Sequence, residues 1–338
     1  MNEQAGGIKI GRWFRKTWHH YQEQKTQEKI LQRVTEQVVE VADPLIRQAK
    51  RYHNVLREPI TGSMNYCTSI VDALPGPVEL SRKGYYADPL VKSLFASSDE
   101  LEEVIRISPE VKAFKDRRLE GEVTALLTMT SHEKTIFGHQ QKGDLVMRDV
   151  AQRAVSFHDH RVVSIDTDIS RTKDKIMHRG LEVLATVAME NITTLRSRRA
   201  ELREKRVYLK GVLKILGGKN HMLEMFASPD PKKREEYRKA EKKPAEVEQA
   251  LDKVREQIAT PEHSLGYLED IMNSPGDSLM MRSQSFCLNW KGVRVDDTPE
   301  SEGNDITLAE FSVGEELRRS AVLVVFSLGS SEYEHPST

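Results

Sequence analysis

Residues 153–166, RAVSFHDHRVVSID, hold the densest grouping of side chains capable of chemistry: His158, Asp159 and His160, set between β-branched and apolar residues. Imidazole is the commonest metal ligand and the side chain whose charge changes nearest neutral pH, so the stretch raises both metal binding and proton transfer. In a regular strand His158 and His160 project from one face, two residues apart, and form a usable ligand pair. A metal needs at least a third ligand, which His132, His139 or Asp166 supplies only if neighbouring strands bring it alongside. The competing reading makes the tripeptide a turn or an exposed strand end, where Asp and His tolerate unusual backbone angles and meet water. The second reading is preferred. A metal-dependent enzyme built on the histidines and aspartates of 132–168 is the alternative.

Other enzyme signatures fail at identifiable positions. His132-Glu133 opens like a zinc-protease HExxH, but Ile136 stands where the second histidine belongs. The run ILGGKNH has a Gly-Lys pair, yet Asn220 replaces the Ser or Thr of a phosphate loop and the run follows a helical pattern instead of a strand. Neither G-x-G-x-x-G nor G-x-S-x-G occurs, so no cofactor is expected.

The elements that must carry these residues show in the periodicity. Residues 8–58 repeat apolar side chains at Leu31, Val38, Leu45 and Tyr52 and read as helix, interrupted at Asp43-Pro44, an N-cap followed by proline at the first helical position. From 59 to 120, Asp88-Pro89, Ser97 with Glu100, and Ser108-Pro109 mark the starts of short helices. Between 122 and 166 the composition turns to Val, Ile, Thr and Phe, with QQKGD and FHDHR as turns, which reads as three or four antiparallel strands. Asp168 then caps a long helix with Leu181, Ala188, Leu195, Leu202, Leu209 and Leu216 at a seven-residue period, ended by Gly217-Gly218. After the polar run 228–244 a second helix carries Val247, Leu251 and Val254, and Thr260-Pro261 restarts a third. Strands return at 279–290, 292–296, 305–313 and 319–328.

The expected fold is therefore α+β: N-terminal helices (1–58), short helices and loops (59–120), a β meander (121–167), a long, coiled-coil-like helical hairpin (168–273), a second β segment (274–328) that packs on or pairs with the first, and a tail (329–338). In the companion stripe of the leucine helix, Arg198 and Lys205 would face their own copies in a parallel dimer, so an intrachain antiparallel hairpin is expected instead.

Of the 338 residues 38% are hydrophobic, 30% charged and 6% aromatic, which favours long solvated helices over a large enzyme core. Cys67 and Cys287 lie far apart in no CxxC pattern, and the longest apolar run, Ala321–Phe326, is too short for a bilayer; both point to the cytoplasm. The net charge is −1, with 171–219 basic and the last quarter acidic. The basic stretch 196–214 could attract phosphates, but Tyr208 is the single aromatic there, which argues against nucleic acid. Residues 8–21, with Trp13, Phe14 and Trp18 among basic side chains, allow peripheral membrane contact or a staple onto the protein. The expected function is a non-enzymatic, self-associating scaffold or regulatory adaptor acting through protein–protein interaction by its long helices. A nucleic-acid or membrane-surface module stands third.

Overall fold

The computed structural model describes residues 28–116, 121–142, 145–224, 231–289, 291–295, 303–314 and 317–328. In chain order the elements are α1 (28–42), a 3-10 turn (Pro44–Gln48), α2 (Tyr52–Asp72), β1 (Val78–Glu79), α3 (Arg82–Ala87), α4 (Pro89–Leu94), α5 (Ser98–Ile107), α6 (Pro109–Lys115), β2 (Gly121–Lys142), β3 (Leu145–Asp166), α7 (Ile169–Glu224), α8 (Pro231–Ile258), α9 (Pro261–Asn273), α10 (Pro275–Ser278), β4 (Leu279–Leu288), β5 (Asn304–Val313) and β6 (Leu317–Leu328). The α+β expectation holds. Two compact units result: one formed by the chain up to Gly62 with Leu184–Asn273, the other by Ser63–Val183 with the chain from Ser274.

The first unit is helical. Asp43 breaks the chain where its sequence demands: its backbone is extended (φ −168°), its carboxylate accepts from the Leu45 amide at 3.2 Å, and Pro44 opens the 3-10 turn. That carboxylate, 4% exposed, is neutralised by the Arg196 guanidinium of α7, which also donates to the Ser264 hydroxyl at 3.2 Å. A buried carboxylate without such a partner would carry its full desolvation cost. Along α7 and α8, Leu202, Val247 and Leu251 form a buried cluster flanked by Leu209, Ala250 and Val254. Arg199 donates to the Ile258 carbonyl at 3.2 Å, and Arg206 pairs with Glu248 at 3.0 Å. Contacts that rise in number along α7 fall along α8, so the pair is antiparallel, as the charge argument required. Two boundaries differ from the sequence expectation. Helix α7 continues through Gly217-Gly218 to Glu224, and α8 begins at Pro231 and contains Pro244, within the run read as a polar linker. Glycine costs a helix interior only about 1 kcal/mol relative to Ala, which good helix formers on both sides outweigh.

The second unit is a six-stranded sheet in the order β3-β2-β6-β5-β4, with β1 parallel to β6. The two β segments join through the antiparallel pairing of β2 with β6, from Gly121 opposite Leu328 to Met129 opposite Ser320. Beyond β4 the chain turns back, and residues 292–294 bridge to β3: the Val155 amide donates to the Gly292 carbonyl and the Arg294 amide to the Arg153 carbonyl, both at 2.8 Å. With the Val295 amide donating to Cys287 at 3.0 Å, the sheet's two ends are tied together at this level. One face holds the larger core, including Leu127, Met129, Phe157, Phe286, Val324 and Phe326, and the segment 80–114 that carries α3–α6 adds Leu80, Leu94, Phe95, Leu101 and Phe114. Phe157 meets Phe286 edge to face at 6.2 Å, across the curled sheet. The opposite face packs Leu126, Ala309, Ala321 and Leu323 against Val71, Leu74 and Ile176. Gly76 (φ +106°) lies against β6, where a Cβ would come 2.4 Å from the Leu323 carbonyl oxygen.

The caps expected on α4–α6 are present: Asp88 accepts from Leu90, Ser97 from Glu100 and Ser108 from Val111. Two readings are corrected. Helix α2 runs through Pro59 to Asp72, so 59–72 is not loop and short helix. The region 122–166 is one hairpin of two 22-residue strands, not three or four strands. Gln140, Gln141 and Lys142 pair with Met147, Val146 and Leu145, whereas FHDHR is inside β3 and not a turn.

Leu251 is fully buried in the α7–α8 seam. Replacing it with Ala is expected to lower stability by about 2–5 kcal/mol, while Lys253→Ala, at an exposed position of α8, changes it by under about 0.5 kcal/mol. Urea titration followed by helical circular dichroism checks both.

Candidate functional site

The HDH tripeptide is a bulge. Thr130 pairs with His158 and Thr128 with Arg161, so one residue of β2 lies opposite two of β3, with Asp159 left-handed at φ +53°. A second irregularity follows between Thr124 and Leu126, opposite Asp166 and Val163, with Ser164 at φ +60°. The extra residue at Asp159 breaks the two-residue alternation on which a shared face for the histidines depended. His158 is exposed, its Nε2 3.0 Å from the Ser156 hydroxyl, whereas the His160 side chain is only 3% exposed.

Each member of the bulge has a structural partner. Asp159 accepts from Arg319 Nη1 at 2.7 Å and Arg161 Nε at 3.2 Å, while Arg319 Nη2 donates to the Asp159 carbonyl at 2.6 Å. Arg319 belongs to β6, with β2 between it and β3, so the guanidinium clips three strands together. These two cations, Arg319 first, hold the Asp159 carboxyl below the usual carboxylate range. His160 Nε2 lies 2.8 Å from the Leu94 carbonyl, an acceptor only, so that nitrogen carries the proton and Nδ1 is bare. The ring stacks on Phe95 at 4.7 Å, and Nδ1 lies 4.0 Å from a Glu100 carboxylate oxygen. Burial pushes the His160 pKa below its ordinary value, against the opposing pull of the Leu94 carbonyl and Glu100. The second bulge is held alike: Glu110 at the start of α6 accepts from the Ser164 amide at 2.7 Å and pairs with Arg179.

The remaining candidates do not converge. His132 is exposed on β2, its carbonyl accepting from Ser156 at 3.4 Å. The side chain of His139 lies outside the described residues. Asp166 pairs with Lys175 at 2.9 Å; burial raises its pKa, but the Lys175 hydrogen bond and charge outweigh this and the net shift is downward. Among the described residues no three His, Cys, Asp or Glu side chains gather as a metal group. Asp168 caps α7 through the Ser170 amide at 2.9 Å. Cys67 is a buried thiol with its pKa pushed up to about 11 by burial, packed where Gly180 brings α7 against it; Cys287 also carries a thiol.

The basic run of α7 is partly engaged within the protein: Arg196 with Asp43, Arg199 with the Ile258 carbonyl, Arg206 with Glu248 and Arg198 with Glu201. Apolar side chains of α7 also lie off its heptad stripe, outside the expected helical seam. Val207, Tyr208 and Ile215 are 67%, 69% and 60% exposed, and among the described residues a Cβ on Gly211 between them would have nothing within 4 Å. Their signal was available: apolar residues out of phase with Leu202 and Leu209 cannot share the α8 seam. Residues 8–21 lie outside the described residues. Among those described, no helix is long and apolar enough to cross a membrane. Comparison of the chain with family models, with curated proteins and with solved structures finds no match.

A neutral His160 has a proton affinity lower in the folded than in the unfolded chain. Its contribution to stability is thus complete above pH ~6.5 and is lost as pH falls below that, toward the folded-state pKa. His160→Gln retains a donor for the Leu94 carbonyl but removes the titration. The variant is expected to lose less melting temperature than the parent between pH 7.5 and 5.5; equal losses would show that His160 does not set this dependence.

Proposed function

We propose that this protein is a scaffold or regulatory adaptor that acts through protein–protein interaction by its long helical hairpin. One observation carries the reading: α7 buries its leucine stripe against α8 and still presents Val207, Tyr208 and Ile215 to solvent on the same helix. Large apolar side chains grouped on an exposed face mark interaction surfaces. The HDH stretch supports this reading over an enzymatic one, because Asp159 and His160 are engaged in holding β3 to β6 and to α4. Nucleic-acid binding is the weaker alternative, since four of the arginines in the basic run already face partners within the chain. Cytoplasmic residence belongs to the same reading and is supported by thiols at Cys67 and Cys287.

A photo-crosslinking amino acid placed at Tyr208 in living cells tests the proposal, with Tyr86, 72% exposed on α3, as control. Covalent adducts with protein are expected from position 208 and not from 86. Absence of any adduct at 208 overturns the reading.

A further inference from the structure

The outer face of α7 reads Glu204, Val207 with Tyr208, Gly211, Lys214 with Ile215: one helical side at i, i+3/i+4, i+7 and i+10/i+11, with all six exposed. Resting on the scaffold reading above, we infer that this face is a homodimer interface in which two copies of α7 cross antiparallel about a twofold axis near residue 209.

Charge selects the direction. A parallel copy would set Glu204 against Glu204 and Lys214 against Lys214, two like-charge contacts. Reversing the second helix about residue 209 sets each Glu204 beside the other copy's Lys214, giving two opposite-charge pairs by symmetry. The same operation seats each Val207 over the other copy's Gly211. There the missing side chain lets the two backbones approach, and among the described residues nothing lies within 4 Å of where a Cβ would stand. Tyr208 then flanks the centre, and each Ile215 lies beyond the charge pairs, alongside the aliphatic stem of the other copy's Arg203. Among the described residues the seam on the other side of α7 is filled by Val247 and Leu251, which leaves the outer face for a second copy. A hydrophobic centre, a small residue at closest approach and complementary charges outside it make the face self-complementary, as a twofold interface must be.

The test is sedimentation equilibrium of the full chain and four variants at low ionic strength. Glu204→Lys and Lys214→Glu each turn both pairs repulsive and are expected to weaken dimerisation by roughly tenfold or more. The double exchange, Glu204→Lys with Lys214→Glu, restores it. Gly211→Leu, whose Cβ meets nothing among the described residues, abolishes it without lowering the melting temperature, since leucine favours the helix over glycine. A monomeric parent protein overturns the inference, as does a dimer indifferent to the single reversals or one that the double exchange fails to rescue. If the Tyr208 adducts in cells are with other proteins while the purified chain is monomeric, the homodimer fails and the scaffold reading stands.

Discussion

The antiparallel pairing of β2 with β6 is the constraint on which the β unit depends. Nine consecutive register pairs, from Gly121–Leu328 to Met129–Ser320, join segments almost two hundred residues apart, and only across this seam do the early hairpin and the late meander share one core. Val123, Ala125 and Leu127 of β2 bury the same side as Val322, Val324 and Phe326 of β6, so the pairing and the larger core form together. The early hairpin alone is a two-stranded ribbon, which is marginal in water, and gains its third strand through β6. The long helical excursion between them raises the entropic cost of closure only slowly, because that cost grows with the logarithm of loop length.

The same seam explains the apparent chemistry at 158–160. A 22-residue strand cannot run straight along a sheet that curls back on itself, and β3 shifts register against β2 at three places, with Asp149, Asp159 and Ser164 left-handed. At the latter two the groups that the ladder no longer satisfies are met from elsewhere: Arg319 from β6 at Asp159, Glu110 from α6 at Ser164. His160 completes the arrangement by donating to the last carbonyl of α4, which anchors the short helices over the core. The side chains that look most reactive in the sequence are those that hold an irregular strand in place.

The helical unit shows the converse division of labour. Asp43 serves at once as N-cap and as counter-ion for Arg196, and the leucine stripe meets the valines and leucine of α8. Because an α-helix has more than one face, a stripe that seals the hairpin leaves other positions out of phase with it, and in α7 these are apolar near Gly211. Inner stripe and outer face therefore serve separate ends on one helix.

What the sequence by itself determined is what local chemistry dictates: the break at Asp43-Pro44, the caps at Asp88, Ser97, Ser108 and Asp168, the heptad of α7, and the antiparallel choice of partner that Arg198 and Lys205 imply. Each depends on neighbours within a few turns, or on charges repeated along one helix. Where a local signal has two tertiary outcomes, the sequence alone misled. Asp159 can enter a left-handed conformation in a turn or in a bulge, Gly217-Gly218 can end a helix or be carried through it, and Pro59 can start an element or lie inside one. The tertiary structure decided these cases, together with the union of the two β segments and the partnership of Arg319 with Asp159, 160 positions apart. Such pairs are chosen by the sheet's register and curvature, properties of the assembled chain that no short stretch of it encodes.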